Sequence, residues 1–532
     1  MMKVDAAKIK TLWLSAAVAL AVLLALALIV ANTVLGPLNL DEGWYLLAAR
    51  NFAAGARPYR DFFFTQAPMM PAVYGALVSQ WSHIGVLGGR MLTAQFGLLA
   101  SVLASLAAAC LAGQGRRLVA GATVFLLLQC NVAHSYFTVI PKTYALASLF
   151  VSGGALALAC AWTASRRAIV VACGVAGGAL LALAAATRLS LGAMLPVIGL
   201  WLLAVRRSHQ RLWLWFGIGG ALGLAAGLLP FVMADWEAFA FANFFHGGRA
   251  GGGLSLPLGS VSRLARNYMP LVMLGIIAVA RGGGGMVRGA EPVSQDEGPA
   301  SQGCLRGFCW MALAAFAAAF LVHVSAPFPY DDYQTPIMPL AAIAASALFW
   351  SAADESRQGP LLAAFAVTAA LFAFTSPMNE SWLVLRKDRF WVEKKAKPDV
   401  WAMHLTARDV DVMFPPGEPL LTQDAYLAVD SGRSVPPGFE MGPFGYFADL
   451  SDDEARRFHV LNRNLALEAI RSGRYQLVAL SDYAFSMSAP ELKKNDAERA
   501  VIDAALAERY VLDCIVPDFG QEHTTLRIWR LK

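Results

Sequence analysis

Charge is what this sequence has least of. Only 15% of its 532 residues are charged, whereas 57% are hydrophobic and the mean hydropathy is +0.51. Soluble proteins carry about 25% charged and about 45–50% apolar residues, so the composition excludes a wholly soluble protein. The net charge is only +6. Basic residues in short cytoplasmic connections account for much of it, so it requires no nucleic-acid partner.

Metal-ligand spacing and a disulfide framework are also missing. Most of the seven cysteines fall inside apolar runs, where cysteine acts as a small hydrophobic residue. Cys304 and Cys309 lie close together, but no His or further Cys joins them at the spacing of a zinc site. We therefore predict no metal and no other cofactor.

Long apolar runs, by contrast, are frequent. About 20 apolar residues cross a bilayer, and by this rule the sequence predicts eleven spans. They lie near residues 12–35, 87–112, 118–134, 143–163, 168–187, 189–205, 212–233, 268–280, 308–324, 335–350 and 360–376. The first run is too long for a signal peptide and is interpreted as a retained anchor.

Basic residues follow every second predicted span, which places the N-terminus in the cytoplasm. The loop 36–86 and the tail from about residue 377 then lie outside. Frequent Ala, Gly and Arg suggest a bacterium, so we expect the inner membrane, with an active site and a C-terminal domain facing the periplasm or exterior.

The tail combines a higher charge with alternating patterns. Strand-like runs start near Glu418, Tyr475, Tyr510 and Thr524, and residues 452–472 and 496–509 have helical periodicity. The predicted fold is therefore a polytopic α-helical membrane protein, with residues 1–376 as the transmembrane domain. Residues 377–532 form a small extracytoplasmic α/β domain in this prediction.

The loop after the first span begins with an acidic pair, Asp41 and Glu42. Ionised carboxylates beside a bilayer are expensive to place, so such residues are functional candidates. A structural alternative is a helix start, in which Asn39 or Asp41 caps a helix that runs to Ala54 and stops at Gly55. Both roles are compatible.

The segment Gly36–Gly75 continues with an amphipathic run, a Gly-x-x-Pro-Tyr turn, an aromatic cluster and a Pro-rich re-entry. This order resembles the first external loop of the GT-C class of membrane glycosyltransferases, in particular the family 39-like and aminoarabinose-transferase-like branch. Tyr333, followed by Pro336 and Pro339, matches a second segment of that class. The resemblance covers roughly residues 10–350.

The resemblance implies transfer of a sugar, with inversion, from a polyprenyl-phosphate donor to an extracytoplasmic hydroxyl. It makes Asp41 the general base, with Glu42 as its support. An anionic phosphate calls for cations and hydrogen-bond donors, and the candidates are Arg57, Arg60, Lys142, Arg188 and Tyr333. Snorkelling to lipid headgroups is the alternative for the basic residues. The predicted partners are membrane lipid, the lipid-linked donor and an acceptor glycan, lipid or protein.

Candidates for sugar or acceptor contacts are Trp44, Tyr45, Tyr59, Gln66, Asp331 and Asp332. The aromatic residues equally fit an interfacial belt, and the two aspartates fit a solvated loop. The chain also departs from its relatives at two points. Gln66-Ala67-Pro68 stands where they often have Lys-Pro, and Pro141-Lys142 stands where they often have an acidic residue. Lys142 is a compensating phosphate ligand in this interpretation.

Two other function classes remain. A transporter or flippase for a lipid-linked substrate is one, although transporters tend to have broken helices and repeated halves, and the sequence indicates neither. A degenerate relative that acts as a binding module is the other. Replacing Asp41 by Asn discriminates among them, because only an enzyme would lose sugar transfer with donor binding intact.

Overall fold

The computed structural model describes residues 6–205, 211–245, 255–282, 302–327, 329–376, 398–414, 417–482, 496–521 and 523–532. The helices of the N-terminal part are α1 (Ala6–Leu35), α2 (Leu40–Ala53), α3 (Met69–Ala76), α4 (Val78–Trp81), α5 (Val86–Leu111), α6 (Arg117–Gln129), α7 (Val132–Phe137), α8 (Thr143–Thr163), α9 (Arg167–Thr187), α10 (Met194–Ala204), α11 (Leu212–Gly227), α12 (Leu229–Ala234), α13 (Trp236–Ala240), α14 (Ser255–Asn267), α15 (Met269–Gly282), α16 (Gln302–Val324), α17 (Met338–Ser351) and α18 (Gln358–Thr375).

Each predicted span contains one of these helices. Six of the described helices are long and apolar enough to cross a membrane: Leu12–Leu35, Val86–Leu111, Thr143–Thr163, Arg167–Thr187, Leu305–Val324 and Glu355–Thr375. Shorter apolar helices, such as Leu212–Gly227, lie beside them. The fold is therefore a polytopic helical one, while the total of eleven spans stays a prediction.

One expectation was wrong. The sequence indicated no broken helix, but Pro257–Asn267 and Met269–Ala280 meet at a bend of 87° and would together make a seventh span. The break falls at Tyr268, two residues before Pro270, whose backbone nitrogen has no hydrogen to donate to the preceding helix. This bent pair, formed by α14 and α15, packs beside α16 and α17.

Small residues allow helices α9 and α11 to pack closely together. α9 and α11 approach so closely that a methyl group at Gly178 would collide with the carbonyl of Phe216, and one at Gly219 with the carbonyl of Val175. Helices in a bilayer associate through such close backbone packing, because lipid provides no hydrophobic drive between them. α8 packs between α5 and α9 and connects this pair to the rest of the bundle.

The C-terminal part is an α/β unit, as predicted. Its helices are α19 (Asp399–Met413), α20 (Ala425–Asp430), α21 (Asp452–Arg457), α22 (Arg463–Arg471) and α23 (Asp496–Arg509), and its strands are β1 (Leu420–Leu421), β2 (Leu477–Ser481), β3 (Tyr510–Phe519) and β4 (Thr524–Leu531). The sheet order is β1-β2-β4-β3. β1 and β2 are parallel, with Leu420 opposite Leu477, whereas β4 pairs antiparallel with both β2 and β3.

The periodic stretch 452–472 is two helices rather than one. Ser451 caps α21, and Asn462 caps α22 by accepting a hydrogen bond from the backbone of Leu465. Between them, His459 has a positive φ of 56°. The predicted domain boundary at residue 377 lies outside the described residues, so the division into domains stays a prediction.

The C-terminal unit sits directly on α2. A Cβ at Gly43 would overlap the backbone of Tyr426 in α20, so only glycine permits this approach. Arg50, at the other end of α2, donates to the carbonyls of Ala428 and Val429, both at 3.2 Å. The helix α2 is therefore fixed between the apolar bundle and α20 of the C-terminal unit.

Asp424, between β1 and α20, makes the C-terminal unit sensitive to pH. Burial raises the pKa of its carboxyl from 3.8 to about 6. Because the folded pKa lies above the unfolded one, stability falls as the pH rises from about 4 to 6 and then stays constant. We expect Asp424→Asn to raise the free energy of unfolding by about 3 kcal/mol at pH 8.

At pH 4 the same substitution should change little, because the wild-type carboxyl is already largely protonated in the folded state. Thermal unfolding of the detergent-solubilised protein at the two pH values measures the difference. Asp453→Asn, on the first turn of α21, is the matched control at an exposed position. An equal shift at both pH values would contradict the assignment.

Candidate active site

Helix α2, which follows α1 after a short connection, presents the acidic pair. Asn39 caps α2: its side chain accepts from the backbone of Asp41 at 3.1 Å, and the Glu42 carboxylate accepts from the Asn39 backbone at 2.7 Å. The predicted helix start is therefore present, with Asn39 in the capping role. Asp41 does not serve as the cap, and its carboxylate remains available for other contacts.

Asp41 lies in a sheltered position opposite a cation. Its side chain is only 25% exposed, and its Oδ2 atom is 2.9 Å from Nζ of Lys142. The indole nitrogen of Trp44 donates to Oδ1 at 3.2 Å. These two contacts hold the carboxylate in one orientation, as a group that must accept a proton from a bound substrate requires.

Lys142 joins two acidic loops. It immediately precedes α8, and its Nζ lies 3.6 Å from Asp332 as well as 2.9 Å from Asp41. The hydroxyl of Tyr144 donates to Asp332 at 2.9 Å. Burial works to lower the pKa of Lys142, but the two carboxylates outweigh it and raise the pKa well above its ordinary value. The ammonium group therefore stays charged.

A second cation lies beside this group. Arg188 follows α9, and its guanidinium carbon is 4.2 Å from the ring centre of Tyr333 and 5.3 Å from that of Tyr144. The side chain is buried, and within the described part of the chain its Nε atom has no hydrogen-bond partner. Stacking on aromatic rings orients a guanidinium without neutralising it.

An open cavity of ≈ 570 Å³ begins at this arginine. Arg188, Ser190, His323, Ser325 and Tyr333 supply its polar lining, and the rest is apolar. Arg188 is thus a charged donor at the edge of a space large enough for part of a ligand.

The structure brings together Asp41, Lys142, Asp332, Arg188 and Tyr333 of the predicted site. Trp44 and Tyr45 border this group as buried, stacked rings whose centres are 3.7 Å apart. Burial, with a contribution from the charge of Asp41, raises the pKa of Tyr45. Its hydroxyl therefore remains protonated.

Other predicted residues lie elsewhere. Arg57 and Arg60 are exposed, and Arg60 pairs with the neighbouring Asp61 at 2.7 Å. Tyr59 is buried against Phe239 and donates its hydroxyl hydrogen to the carbonyl of Gln66. None of the contacts described for these residues involves Asp41 or Lys142. The side chain of Asp331 lies outside the described residues.

Glu42 makes contacts different from those of Asp41. Its carboxylate and the guanidinium of Arg90 form a fully buried ion pair with an N–O distance of 2.6 Å. Arg90 also donates to the backbone carbonyls of Gly36 and Pro37, at 2.9 and 2.7 Å. These contacts fit a residue that holds the entry to α2, and a catalytic supporting role for Glu42 stays a prediction.

Sequence reasoning missed three residues of this region: Tyr144, Ser190 and Gln334. Nothing in their local sequence indicates a site, since Tyr144 opens an apolar helix and Ser190 lies in a short turn. His323 was not among the predicted site residues either. In the structure it bonds Ser190 through Nε2 at 2.7 Å and Gln334 through Nδ1 at 3.1 Å.

Comparison with solved structures finds the same architecture elsewhere. ArnT from Cupriavidus metallidurans bound to undecaprenyl phosphate matches with a TM-score of 0.59 and 15% identity, covering 96% of this chain and 97% of that one. The apo state of the same protein matches with a TM-score of 0.58 and 14% identity, and the same shares of both chains are covered. This chain has the GT-C fold. An oligosaccharyltransferase from Archaeoglobus fulgidus matches with a TM-score of 0.44 and 11% identity, over 95% of this chain and 73% of that one.

Sequence comparison adds nothing to this likeness. No protein-family model matches the chain, and no curated protein matches it. The GT-C fold was predicted from the loop pattern at Gly36–Gly75 and is confirmed by the ArnT structures. The chemistry of this chain must be argued from its own residues.

Proposed function

We propose that this GT-C protein is an inverting glycosyltransferase of the bacterial inner membrane. It moves a sugar from a polyprenyl-phosphate donor to an extracytoplasmic hydroxyl of a glycan, lipid or protein. The observation that carries the proposal is the sheltered Asp41 carboxylate, 2.9 Å from Lys142. It lies in the same cluster as Arg188, whose Nε atom has no hydrogen-bond partner among the described residues. The ArnT structure that shares the fold was determined with undecaprenyl phosphate bound.

The proposed reaction uses Asp41 as a general base. As the acceptor oxygen forms a bond with the anomeric carbon, its proton passes to the Asp41 carboxylate. The bond between that carbon and the donor phosphate breaks on the opposite face, and polyprenyl phosphate leaves with the electron pair. A single displacement of this kind inverts the anomeric centre.

The departing phosphate needs cationic donors. Lys142 carries three N–H donors, and the two carboxylates it contacts leave one for a phosphate oxygen. Arg188 contributes its unpaired Nε and the rest of its guanidinium. Charge-assisted bonds of this type are about twice as strong as neutral ones. Tyr333 orients Arg188 by stacking, so it acts on the phosphate through the arginine.

The carrier tail requires an apolar groove. A cavity of ≈ 310 Å³ lies between the bent pair α14–α15 and helices α16 and α17, and its described lining includes Leu264, Leu271, Phe316 and Ala345. That lining contains no charged side chain. We assign this groove to the polyprenyl chain.

Filling this groove should discriminate between donors by chain length. Gly275 lines it, and a Cβ there would meet nothing within 4 Å, so Gly275→Leu extends into the groove without displacing the backbone. We expect KM for a C55 donor to rise about tenfold, because several buried CH₂ groups of the tail lose their place. KM for a C10 donor should stay unchanged.

The matched control is Gly217→Leu on α11, where a Cβ also meets nothing within 4 Å. It adds the same side chain to another apolar helix. Equal changes for the long and short donors in Gly275→Leu would show that the groove does not hold the tail.

A direct test of the function has two arms. The purified protein in nanodiscs is given undecaprenyl-phosphoryl glucose, galactose or arabinose with envelope extract, and release of undecaprenyl phosphate is measured. Mass spectrometry of envelope glycans from cells with and without the protein identifies the modified acceptor. The proposal predicts release with at least one donor and the loss of one glycan modification. No release and an unchanged envelope would refute it.

The bent helix pair is the one observation that favours a transporter. Its groove has an apolar lining, which suits a lipid tail better than a sugar crossing the membrane. A flippase would move labelled undecaprenyl-phosphoryl sugar between leaflets without releasing undecaprenyl phosphate. The nanodisc assay and a dithionite-quenching assay in vesicles separate the two functions.

A further inference from the structure

A chain of three neutral side chains borders the cavity beside Arg188. Ser190 lies two residues after Arg188, His323 is in the last turn of α16, and Gln334 is in the 3-10 turn Asp331–Ile337. His323 and Gln334 are almost fully buried, at 2% and 1% exposure, whereas Ser190 is half-buried. Ser190 and His323 both line the cavity.

The hydrogen-bond directions in this chain follow from its partners. The Gln334 oxygen Oε1 is an acceptor, so Nδ1 of His323 carries the hydrogen and donates to it over 3.1 Å. Nε2 of the neutral ring is then an acceptor, and the Ser190 hydroxyl donates to it over 2.7 Å. Because its hydrogen is committed, Ser190 offers only oxygen lone pairs to the cavity.

The cavity wall therefore places two different hydrogen-bonding groups close together. Arg188 can only donate, which suits a phosphate oxygen, and Ser190 can only accept, which suits a hydroxyl group. Leu321 and Val322, which continue the wall, are exposed apolar side chains, and such a surface suits the tail of a lipid-linked ligand. A ligand that fits this order has a tail, then a phosphate, then a hydroxyl next to the phosphate.

We propose that Ser190 accepts a hydrogen bond from the 2-hydroxyl of the donor sugar and so selects for it, with His323 and Gln334 as positioning residues. This inference rests on the proposed function, because it assumes that Arg188 holds the donor phosphate. The 2-hydroxyl is next to the anomeric carbon that carries the phosphate. Hydrogen bonds to the 2-hydroxyl strengthen in glycosyl-transfer transition states, so the contact also assists the reaction.

The test compares donors that differ in one hydroxyl. Affinities of the protein in nanodiscs are measured for undecaprenyl-phosphoryl glucose, galactose and arabinose and for their 2-deoxy counterparts. The wild-type protein should bind at least one 2-hydroxy donor about fivefold to tenfold more tightly than its 2-deoxy counterpart. This ratio of affinities corresponds to the free energy of one hydrogen bond. Ser190→Ala should reduce this ratio to about one, because the hydrogen bond that distinguishes the two donors is then lost.

The control variant is Ser325→Ala. Ser325 lines the same cavity, but its hydroxyl donates to the carbonyl of Leu321 at 2.7 Å, so the preference should persist. His323→Ala should weaken the preference, and His323→Gln should restore it, because a glutamine side chain places an acceptor near the position of Nε2. A purely structural role for His323 would not produce this rescue in the donor ratio.

Two results would overturn the inference. One is a wild-type ratio of one for all three sugars, and the other is a ratio that Ser190→Ala leaves unchanged. Binding of bare undecaprenyl phosphate separates these failures from failure of the proposed function. If the wild-type protein binds it and Arg188→Gln does not, the phosphate site stands and only the role of Ser190 is refuted. If the wild-type protein does not bind it, the proposed function itself fails.

Discussion

Asp41→Asn is expected to lower sugar transfer about 10²- to 10⁴-fold in kcat, the range that a positioned general base contributes. Asparagine keeps the shape of the side chain and an oxygen that accepts from Trp44, but its amide cannot take up the acceptor proton. Lys142 keeps its contact with Asp332, at 3.6 Å. The affinity for undecaprenyl phosphate should therefore stay within about twofold of the wild-type value. Loss of a hydrogen bond to a charged group would change the affinity much more than this.

The measurement is steady-state release of undecaprenyl phosphate, together with equilibrium binding of the same lipid. Asp61→Asn is the matched control, because Asp61 lies in the same loop but pairs with Arg60 on the surface. It should leave kcat unchanged. Unaltered transfer in Asp41→Asn would remove Asp41 from the reaction, and equal losses of kcat and lipid binding would make it a binding residue instead.

Arg90→Met should have the largest effect on stability. The Arg90 and Glu42 side chains are both 0% exposed and pair at 2.6 Å, so removing the arginine leaves a buried carboxylate without a counter-charge. Breaking a buried ion pair in this way costs about 3–5 kcal/mol. Several backbone carbonyls, among them those of Gly36 and Pro37, also lose this donor. Thermal unfolding in detergent should show a clearly lower Tm.

A second substitution tests the cause. Glu42→Gln, added to Arg90→Met, removes the buried charge but keeps an oxygen for the Asn39 backbone, so about half of the lost stability should return. Arg60→Met is the control for an exposed pair and should lower the Tm only slightly, because an exposed ion pair contributes little to stability. If Arg90→Met unfolds no earlier than Arg60→Met, the buried pair does not support the fold.

The local sequence was informative wherever a feature depends on neighbouring residues. Asn39 and Glu42 are three residues apart, and that spacing alone makes the capping box that begins α2. The strands from Leu477 and Thr524 and the helix at Asp496 were also predicted, because their periodicity is local. The bend between Asn267 and Met269 was missed, although Pro270 is a signal for it.

The contacts of the site could not be predicted in the same way. Asp41 follows α1, Lys142 precedes α8 and Asp332 precedes α17, and no rule of spacing says that these three connections meet. Judged by residue type alone, Arg57 and Arg60 were as good candidates for phosphate contact as Arg188. Only the packing of α8, α9 and α16 distinguishes the buried arginine from the exposed ones.

The sequence by itself determined that this chain is a helical membrane protein with an acidic pair just after its first predicted span, since hydropathy and capping depend on residues close in the chain. Tertiary structure alone decided that Asp41 faces Lys142 and that Glu42 pairs with Arg90 instead. Consecutive residues on a helix point about 100° apart. Helix packing therefore gave the two neighbouring carboxylates different partners.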